Sequence, residues 1–493
     1  MSSEDSSSTK TINAKAKKGI TLLLGRQAFL QILTFGGGVI VARILTPTQF
    51  GLFGIASFFV GIIALFGDFG LSSFLIQRKK DITEKELQIG FSVQQLLTLL
   101  VVFVLFLIAP LFSHLYRNVP AETLLWLIRA LALSLILASW RSISALQMER
   151  NLRYQTLAWI EVVEAVSYQV ILVLLVVTKH GIWSLAIATI VRGLTGSILM
   201  YVNAPWPIRV RFDKSEGLAM IKFGIPFQLQ LIANQLDAWI TPVLTASIIG
   251  PQAVGFIAFA STNGQKPIVL VGIVTRVAFP HLARLQDNRA EVERVIARYL
   301  AYLLTATMLW FAVLVTVGPG LVAWIFTNRW QPAIFALIVY ACALNIDVLS
   351  IVLSVTLSSV GAVNKSTQAE VVRTVYNILI SVPLVLLIGF NGVVIGYIVS
   401  VALAVVLKFR SFGQHSMRRL LDPIAKIVLI PFLASVSIGA IVVSPSFHGM
   451  IAPLPGAFTV ALVYVVVLIV VGPAWLFEPA LSMTKWSRQR LKS

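Results

Sequence analysis

Long apolar stretches recur along almost the whole 493-residue chain, and they decide what it can fold into. A helix needs about 20 mostly apolar residues to cross the hydrocarbon core of a bilayer. Continuous runs of that length favour helices over the alternating strands of a membrane barrel. Charged residues make up only 12% of the chain, roughly half their share in soluble domains. We therefore predict an all-α polytopic membrane protein.

The apolar stretches predict about 14 transmembrane helices joined by short loops. They lie near residues 20–42, 49–69, 88–112, 121–143, 156–177, 181–203, 218–247, 252–276, 297–318, 333–360, 367–389, 392–409, 424–444 and 456–477.

Basic residues are distributed very unevenly among the loops. The two predicted tails and the even-numbered loops carry 31 of the 39 Lys and Arg residues, and the odd-numbered loops carry four. Because Lys and Arg collect on the cytoplasmic side of a membrane, both termini are predicted to be cytoplasmic. The net charge of +19 therefore indicates topology and contact with anionic lipid, and nucleic acid is not an expected partner.

One stretch of sequence occurs twice without a gap. Residues 42–57 read ARILTPTQFGLFGIAS, and residues 246–261 read ASIIGPQAVGFIAFAS. Each copy covers the end of one predicted helix, an external turn and the start of the next, so both copies have the same orientation. Parallel repeats in transporters are related by an axis along the membrane normal, with the substrate site between them. Alternatively, Pro and Gly only mark turns between closely connected helices.

The repeat predicts two six-helix bundles and an additional C-terminal helix pair. The predicted parts are a disordered cytoplasmic tail, the N-terminal bundle, a cytoplasmic linker, the C-terminal bundle, the extra pair and a basic cytoplasmic tail. Their bounds are 1–18, 19–203, 204–217, 218–415, 416–478 and 479–493.

Polar residues lie at corresponding places in the first and seventh predicted helices. Gln230, Asn234 and Asp237 share one face of helix seven, and the repeat aligns Gln230 with Arg26 of helix one. Gln31 follows on helix one, before the glycines at 36–38 that we expect to weaken the helix. A polar face in a bilayer must look towards protein or a watery cavity. The alternative is a hydrogen-bonded seam that only packs helices together.

Two segments resemble a known family of transporters. They are ARILTPTQFGL at 42–52 and LFGDFGLSSFLIQRKKDIT at 65–83. The chain resembles the Wzx-like polysaccharide exporters, and within them the colanic-acid-type branch. Their superfamily also contains multidrug and toxin extrusion transporters and the lipid II flippase.

This resemblance implies an alternating-access flippase built from two bundles in a V. Its substrate would be an undecaprenyl-pyrophosphate-linked oligosaccharide, held at the pyrophosphate by a cationic lumen. The implied location is the cell inner membrane, with a polymerase and glycosyltransferases as possible partners. Some members of the superfamily couple transport to a proton or sodium gradient.

The predicted substrate site draws on cations and amides inside predicted helices. Guanidinium groups are suited to bind phosphate oxygens. Arg26 has the alternative of snorkelling to the interface, Lys266 the alternative of an ion pair with Asp237, and Arg192 is expected to be buried. The predicted substrate-binding residues are Arg26, Gln31, Gln230, Asn234, Lys266 and Arg192.

Buried acids are the candidates for ion coupling. A carboxylate in a low-dielectric cavity can carry a proton, and we assign this role to Asp237 and Asp347. Glu161 and Glu164 are instead expected to form structural ion pairs with arginines of the preceding cytoplasmic loop.

Enzymatic chemistry has little support in the sequence. The five histidines are not spaced as metal ligands, and the chain carries no phosphate-binding loop, so we predict no catalytic residues, metal or organic cofactor. Two alternatives to the flippase are a multidrug or toxin cation antiporter of the same superfamily and a membrane enzyme of polysaccharide polymerisation.

Overall fold

The chain is represented by a computed structural model in which helices are the dominant element. It describes residues 25–64, 83–115, 120–151, 153–222, 245–285, 288–412, 427–438, 453–473 and 476. Every regular element within these ranges is a helix. Most of the predicted helix at 218–247 lies outside the described residues, and with it Gln230, Asn234 and Asp237.

Ten of the described helices are long and apolar enough to cross a membrane. A bent pair of shorter helices raises this number to as many as eleven. The chain is therefore a multi-pass membrane protein, while the total of 14 helices stays a prediction. The length of the apolar runs is sufficient to locate these helices. A single segment in hydrocarbon can pair all its backbone N–H and C=O groups internally only as a helix.

The chain divides into two compact units, residues 1–235 and 236–493. In the N-terminal unit we number seven helices. They are α1 Gly25–Ile44, α2 Pro47–Ala64, α3 Glu84–Leu115, α4 Ala121–Trp140, α5 Ser142–Arg150, α6 Tyr154–Val177 and α7 Trp183–Asn203.

The C-terminal unit adds eight numbered helices. They are α8 Pro251–Gly264, α9 Ile268–Arg284, α10 Arg289–Ile325, α11 Ile334–Ser359, α12 Val363–Ile388, α13 Phe390–Phe412, α14 Ile427–Ile438 and α15 Pro453–Val471. A 3-10 turn, Asn328–Ala333, leads into α11. The predicted boundaries of the two six-helix bundles stay predictions.

The two copies of the repeated stretch both start a helix at proline. Pro47 begins α2 and Pro251 begins α8, as suits a residue without a backbone N–H. The caps differ, since Thr46 and Gln49 exchange side-chain hydrogen bonds with each other's backbone N–H, whereas Gly250 takes a φ of +111°. The shared proline thus fixes the helix start, and the residue before it adapts to each turn.

Helix α1 runs continuously through its glycines and lies against α6. A Cβ atom on Gly37 would overlap the Gln169 side chain, whereas Gly36 and Gly38 face open space. Further along, Val41 of α1 and Leu172 of α6 belong to one apolar cluster. The expected weakening of this helix is not seen, and Gly37 instead permits the close approach of two helices.

The chain breaks between α8 and α9, which meet at an angle of 51°. Pro267 has no backbone N–H, and the N–H of Ile268 bonds the carbonyl of Gln265. The carbonyl of Gly264 therefore lacks its usual helical donor and accepts from the Trp310 indole at 3.0 Å. The bend places Gln265 and Lys266 in an irregular joint between two helices.

Helices α9, α10, α11 and α13 share the main apolar core of the C-terminal unit. Tyr464 and Leu468 of α15 pack into this core, as do Ile427 and Val428 of α14. The additional C-terminal pair is thus part of the same compact unit.

Candidate functional site

The charged groups of the N-terminal unit meet on one face of α6. Glu161 and Glu164 are separated by three residues, so both side chains project from the same side of the helix. Each one forms an ion pair with arginine from another element. The sequence predicted ion pairs with arginines of the preceding cytoplasmic loop. Arg141, which it counted there, does pair with Glu164, whereas Glu161 pairs with Arg26 of α1.

Glu161 holds the arginine that the sequence ranked as a substrate ligand. Nη1 of Arg26 donates to Oε2 of Glu161 at 2.6 Å, although 135 residues separate the two. The pair connects α1 with α6 at the end where both helices begin. Arg26 is thus anchored by a carboxylate of another helix.

Glu164 is the more deeply buried acid, with 2% of its side chain exposed. Nη1 of Arg141 donates to both of its carboxylate oxygens, at 2.8 and 3.0 Å. Nε of Arg192 on α7 lies 3.7 Å from Oε2. Gly196, one turn beyond Arg192, makes this possible, because a Cβ there would lie 2.7 Å from the Glu164 carboxyl carbon.

Arg192 is more open than the sequence suggested. We expected it to be buried, but 53% of its side chain is exposed, compared with 39% for Arg141. The three arginines and two glutamates leave one net positive charge on this face. Much of each of these two arginine side chains is thus exposed, while Glu164 fixes its position.

Arg141 belongs to this cluster but was not among the predicted site residues. It lies between α4 and α5, and the sequence placed it with the cytoplasmic basic residues. Gln31, which was predicted, lies on α1 five residues after Arg26, with a half-buried side chain. The structure thus places Arg26 and Arg192 beside acids one turn apart on α6. It places Arg141, which was not predicted, in the same cluster.

The C-terminal unit contains a buried acid of a different kind. Asp347 on α11 has 9% of its surface exposed. The phenol of Tyr397 on α13 donates to its Oδ2 at 2.6 Å, and Gln265 Nε2 in the α8–α9 joint donates to the Tyr397 oxygen at 3.0 Å. Among the ion pairs of the described residues, none joins Asp347 to a cation within 4.0 Å.

A second polar cluster lies one turn further along α11. Lys408 of α13 is completely buried, and its Nζ donates to the backbone oxygen of Ser350 at 3.2 Å and to its hydroxyl at 2.6 Å. The third partner is the Glu370 carboxylate of α12, which also accepts from Arg373 Nε at 2.7 Å. The sequence counted Lys408 and Arg373 among the basic residues of the cytoplasmic side. Its predicted helices at 367–389 and 392–409 contain all three residues, as do α12 and α13.

Lys266 lies in the α8–α9 joint, beside the Gln265 that bonds Tyr397. Its predicted alternative partner, Asp237, is outside the described residues. Within the part of the chain that the structure describes, no three His, Cys, Asp or Glu side chains are grouped as a metal site. The described polar chemistry of the membrane part is thus concentrated on α6 and on α11–α13.

Comparison with known proteins identifies the family of the chain. A family model described as "Polysaccharide biosynthesis protein" matches residues 40–335. The chain belongs to this family. The match confirms the resemblance to polysaccharide exporters that the segments at 42–52 and 65–83 indicated.

Three curated relatives carry related descriptions. They are a teichuronic acid biosynthesis protein, TuaB, of Bacillus subtilis (25% identical over 54% of this chain and 55% of the relative), a lipopolysaccharide biosynthesis protein, WzxC, of Escherichia coli (23%, over 62% and 63%), and a succinoglycan biosynthesis transport protein, ExoT, of Rhizobium meliloti (27%, over 57% and 56%). The chain spans between 55% and 63% of the length of these relatives.

Solved structures show that the fold is shared with transporters. The lipid II flippase MurJ, in an inward closed conformation, superposes with a TM-score of 0.75 at 15% identity, covering 90% of this chain and 97% of the flippase. A multidrug resistance transporter of the MATE family, inward-facing, gives 0.61 at 17% identity, covering 80% and 94%. At these identities the likeness establishes the fold alone.

Proposed function

We propose that this protein is a flippase that moves a lipid-linked oligosaccharide repeat unit outward across the cell inner membrane. The substrate class is an oligosaccharide on undecaprenyl pyrophosphate, supplied for cell-surface or exopolysaccharide synthesis. The observation that carries the proposal is the cluster of three arginines that pair with the two glutamates of α6. This cluster has a net positive charge in a chain of the polysaccharide biosynthesis family.

The chemistry of a pyrophosphate explains why such a cluster is useful. The anion must lose much of its hydration to leave the interface, and guanidinium groups replace the lost hydrogen bonds with charge-assisted ones. The glutamates hold Arg26, Arg141 and Arg192 before substrate arrives, so little side-chain entropy is lost when it binds. The five donors of each guanidinium leave some for phosphate oxygens.

Gln31 and Lys266 complete the proposed substrate contacts among the described residues. Gln230 and Asn234, which the sequence also assigns to this role, lie outside them. A neutral amide is suited to sugar hydroxyls, and an ammonium group to a phosphate oxygen.

Asp347 is the proposed ion-coupling residue in the described part of the chain, and Asp237 keeps that role outside it. A buried carboxylate without a cationic partner is stabilised by taking up a proton. Asp347 accepts a hydrogen bond from a neutral phenol, whereas Glu161, Glu164 and Glu370 each contact a basic side chain. An alternating cycle would use proton uptake and release there to favour one orientation.

The proposal includes orientation and partners. Both termini are cytoplasmic, and a polymerase and glycosyltransferases are expected to act on the same substrate. A membrane-impermeant label should reach a cysteine placed at Asn391 from outside and one placed at Ser411 only from inside. The reverse pattern would refute this orientation.

The decisive experiment measures translocation of a fluorescent undecaprenyl-pyrophosphate oligosaccharide by purified protein in liposomes. Arg26→Ala, Arg141→Ala and Arg192→Ala should each lower the rate by about tenfold or more, equivalent to about 1.4 kcal/mol. Arg209→Ala, which removes an exposed arginine between the helices, should leave the rate unchanged.

The competing functions predict different results in the same liposomes. A multidrug antiporter, suggested by the shared MATE fold, would transport a cationic dye and leave the lipid-linked substrate in place. An enzyme of polymerisation would lengthen the oligosaccharide. Either result without translocation rejects the flippase.

A further inference from the structure

Lys408 has an unusual environment for a lysine at the end of a membrane helix. It lies four residues before the C-terminal end of α13, where a lysine normally extends to the interface. Its side chain is instead 0% exposed and points into the joint between α11, α12 and α13. Burying an ammonium group is costly, so the structure must supply strong compensation.

The compensation comes from three different oxygens. Nζ contacts the Ser350 carbonyl at 3.2 Å, the Ser350 hydroxyl at 2.6 Å and the carboxylate of Glu370. An ammonium group has three N–H donors, and each therefore has an acceptor. A carbonyl, a hydroxyl and a carboxylate are also the ligands with which proteins bind hard metal cations.

The position of this cluster links it to Asp347. Ser350 follows Asp347 by three residues on α11, and Tyr397 and Lys408, their respective partners on α13, are separated by about three turns. A fixed cation thus contacts α11 one turn from the acid that is proposed to take up a proton.

We propose that the ammonium group of Lys408 permanently occupies a site for a monovalent metal cation, so that the C-terminal unit needs no sodium or potassium. The inference rests on the proposed function in one respect, because it takes Asp347 as the ion-coupling residue of the flippase. With the cation site filled by Lys408, the proton is the only coupling ion for Asp347. A tethered cation cannot be released during a transport cycle, whereas a bound Na⁺ can.

Substitution of Lys408 distinguishes a cation site from a purely structural contact between three helices. If the contact is a structural ion pair, shortening Lys408 leaves Glu370 with Arg373 and creates a cavity that no cation stabilises. If the oxygens form a cation site, the same change opens the site to ions from solution. Ion-specific stabilisation therefore separates the two roles.

The test measures Tm of purified protein in choline chloride and in NaCl or KCl at constant ionic strength. Wild-type Tm should be the same in all three salts. Lys408→Ala should show a saturable rise of about 2 °C or more in NaCl or KCl, because ligand binding to the folded state stabilises it. The rise should disappear in Lys408→Ala/Glu370→Gln, which lacks the carboxylate.

Lys365→Ala is the matched control, because this exposed lysine near the start of α12 has the same charge. It should behave as wild type in every salt. Absence of an ion-specific rise in folded Lys408→Ala overturns the proposal, as does a Na⁺-specific rise in the wild type.

A second measurement needs no variant, and it decides the matter if Lys408→Ala does not fold. Wild-type translocation driven by a pH gradient should proceed equally in sodium-containing and sodium-free, potassium-free liposomes. A requirement for either ion refutes the tethered-cation role. If the wild type translocates no lipid-linked oligosaccharide at all, the proposed function fails, while the Tm comparison of wild type in the three salts still tests the cation site.

Discussion

Glu164 in the N-terminal unit and Asp347 in the C-terminal unit are both buried carboxylates on membrane helices, but their partners differ. Glu164 is held by the guanidinium groups of Arg141 and Arg192. Asp347 is held by the phenol of Tyr397. Glu164 thus accepts from charged donors and Asp347 from a neutral one, and hydrogen bonds from a charged donor to a carboxylate are the stronger kind.

This contrast suggests a division of labour between the two units. In the proposed function, the N-terminal acids position arginines for an anionic substrate, and the C-terminal acid is the residue that responds to the ion gradient. Changes at these residues should therefore alter different properties of the protein.

The largest effect is expected from Asp347→Asn, which removes the group proposed to take up the proton. Translocation driven by a pH gradient should fall about tenfold or more, and its pH dependence should flatten. Glu122→Gln, at an exposed acid near the start of α4, is the control and should keep the wild-type profile. An unchanged pH profile in Asp347→Asn would mean that both acids are structural.

The next effect concerns Glu164→Gln, which leaves two arginines without their shared anion. We expect the free energy of unfolding to fall by about 1–3 kcal/mol. The buried carboxylate loses its charged hydrogen bonds, while the arginines stay partly hydrated. Translocation should weaken, but the shape of its pH profile should persist. Thermal unfolding in detergent measures the loss of stability, and liposome transport measures translocation and its pH dependence. If Glu164→Gln flattened the pH profile as well, the two acids would not have distinct roles.

A smaller effect is expected from Gly37→Ala, which tests how closely α1 and Arg26 must approach α6. The added methyl group would displace the buried Gln169 side chain and cost about 1 kcal/mol or more. Gly36→Ala and Gly38→Ala face open space and serve as controls. Gln169→Ala should restore the Tm of Gly37→Ala, and a failure of this double variant to recover would show that the contact is not limiting.

The smallest effect is expected at Asp213, a carboxylate outside the membrane helices. Hydrogen bonds from Ser215 and Lys85 hold the pKa of Asp213 below its usual range. A lowered folded-state pKa stabilises the protein above the unfolded value, and this contribution is lost as the pH falls below about 4 towards the lowered value. Asp213→Asn should therefore have a slightly lower Tm than wild type at neutral pH, and this difference should become smaller as the pH is lowered. A Tm difference that stays constant with pH would contradict the prediction.

The sequence located the helices and several polar residues, but it did not identify their partners. Apolar run length places a helix because every backbone group in lipid needs an internal partner. It does not say which side of the helix meets which neighbour. Arg26 and Asp347 were therefore found as charges in apolar runs, while the contacts Arg26–Glu161 and Asp347–Tyr397 depend on helices far apart in sequence.

Lys408, Glu370 and Arg373 were missed for a related reason. Lys408 and Arg373 lie near the cytoplasmic ends of predicted helices, where basic residues are ordinary cytoplasmic markers and no site is expected. Lys408 and Arg373 share the carboxylate of Glu370 and remain inside the helices, and only the fold shows that the three side chains meet. Tyr397 and Gln265 give no signal in the sequence, because each residue type is common in membrane helices as ordinary packing or seam residues.

The bend between α8 and α9 has a consequence for how related chains can vary. The carbonyl of Gly264 relies on the Trp310 indole, and no water is present in hydrocarbon to replace that donor. Position 310 and the Lys-Pro pair at 266–267 are thus coupled by one backbone hydrogen bond. Sequences that keep the proline should retain a donor side chain at position 310, and those that lose the proline should be free to place any apolar residue there.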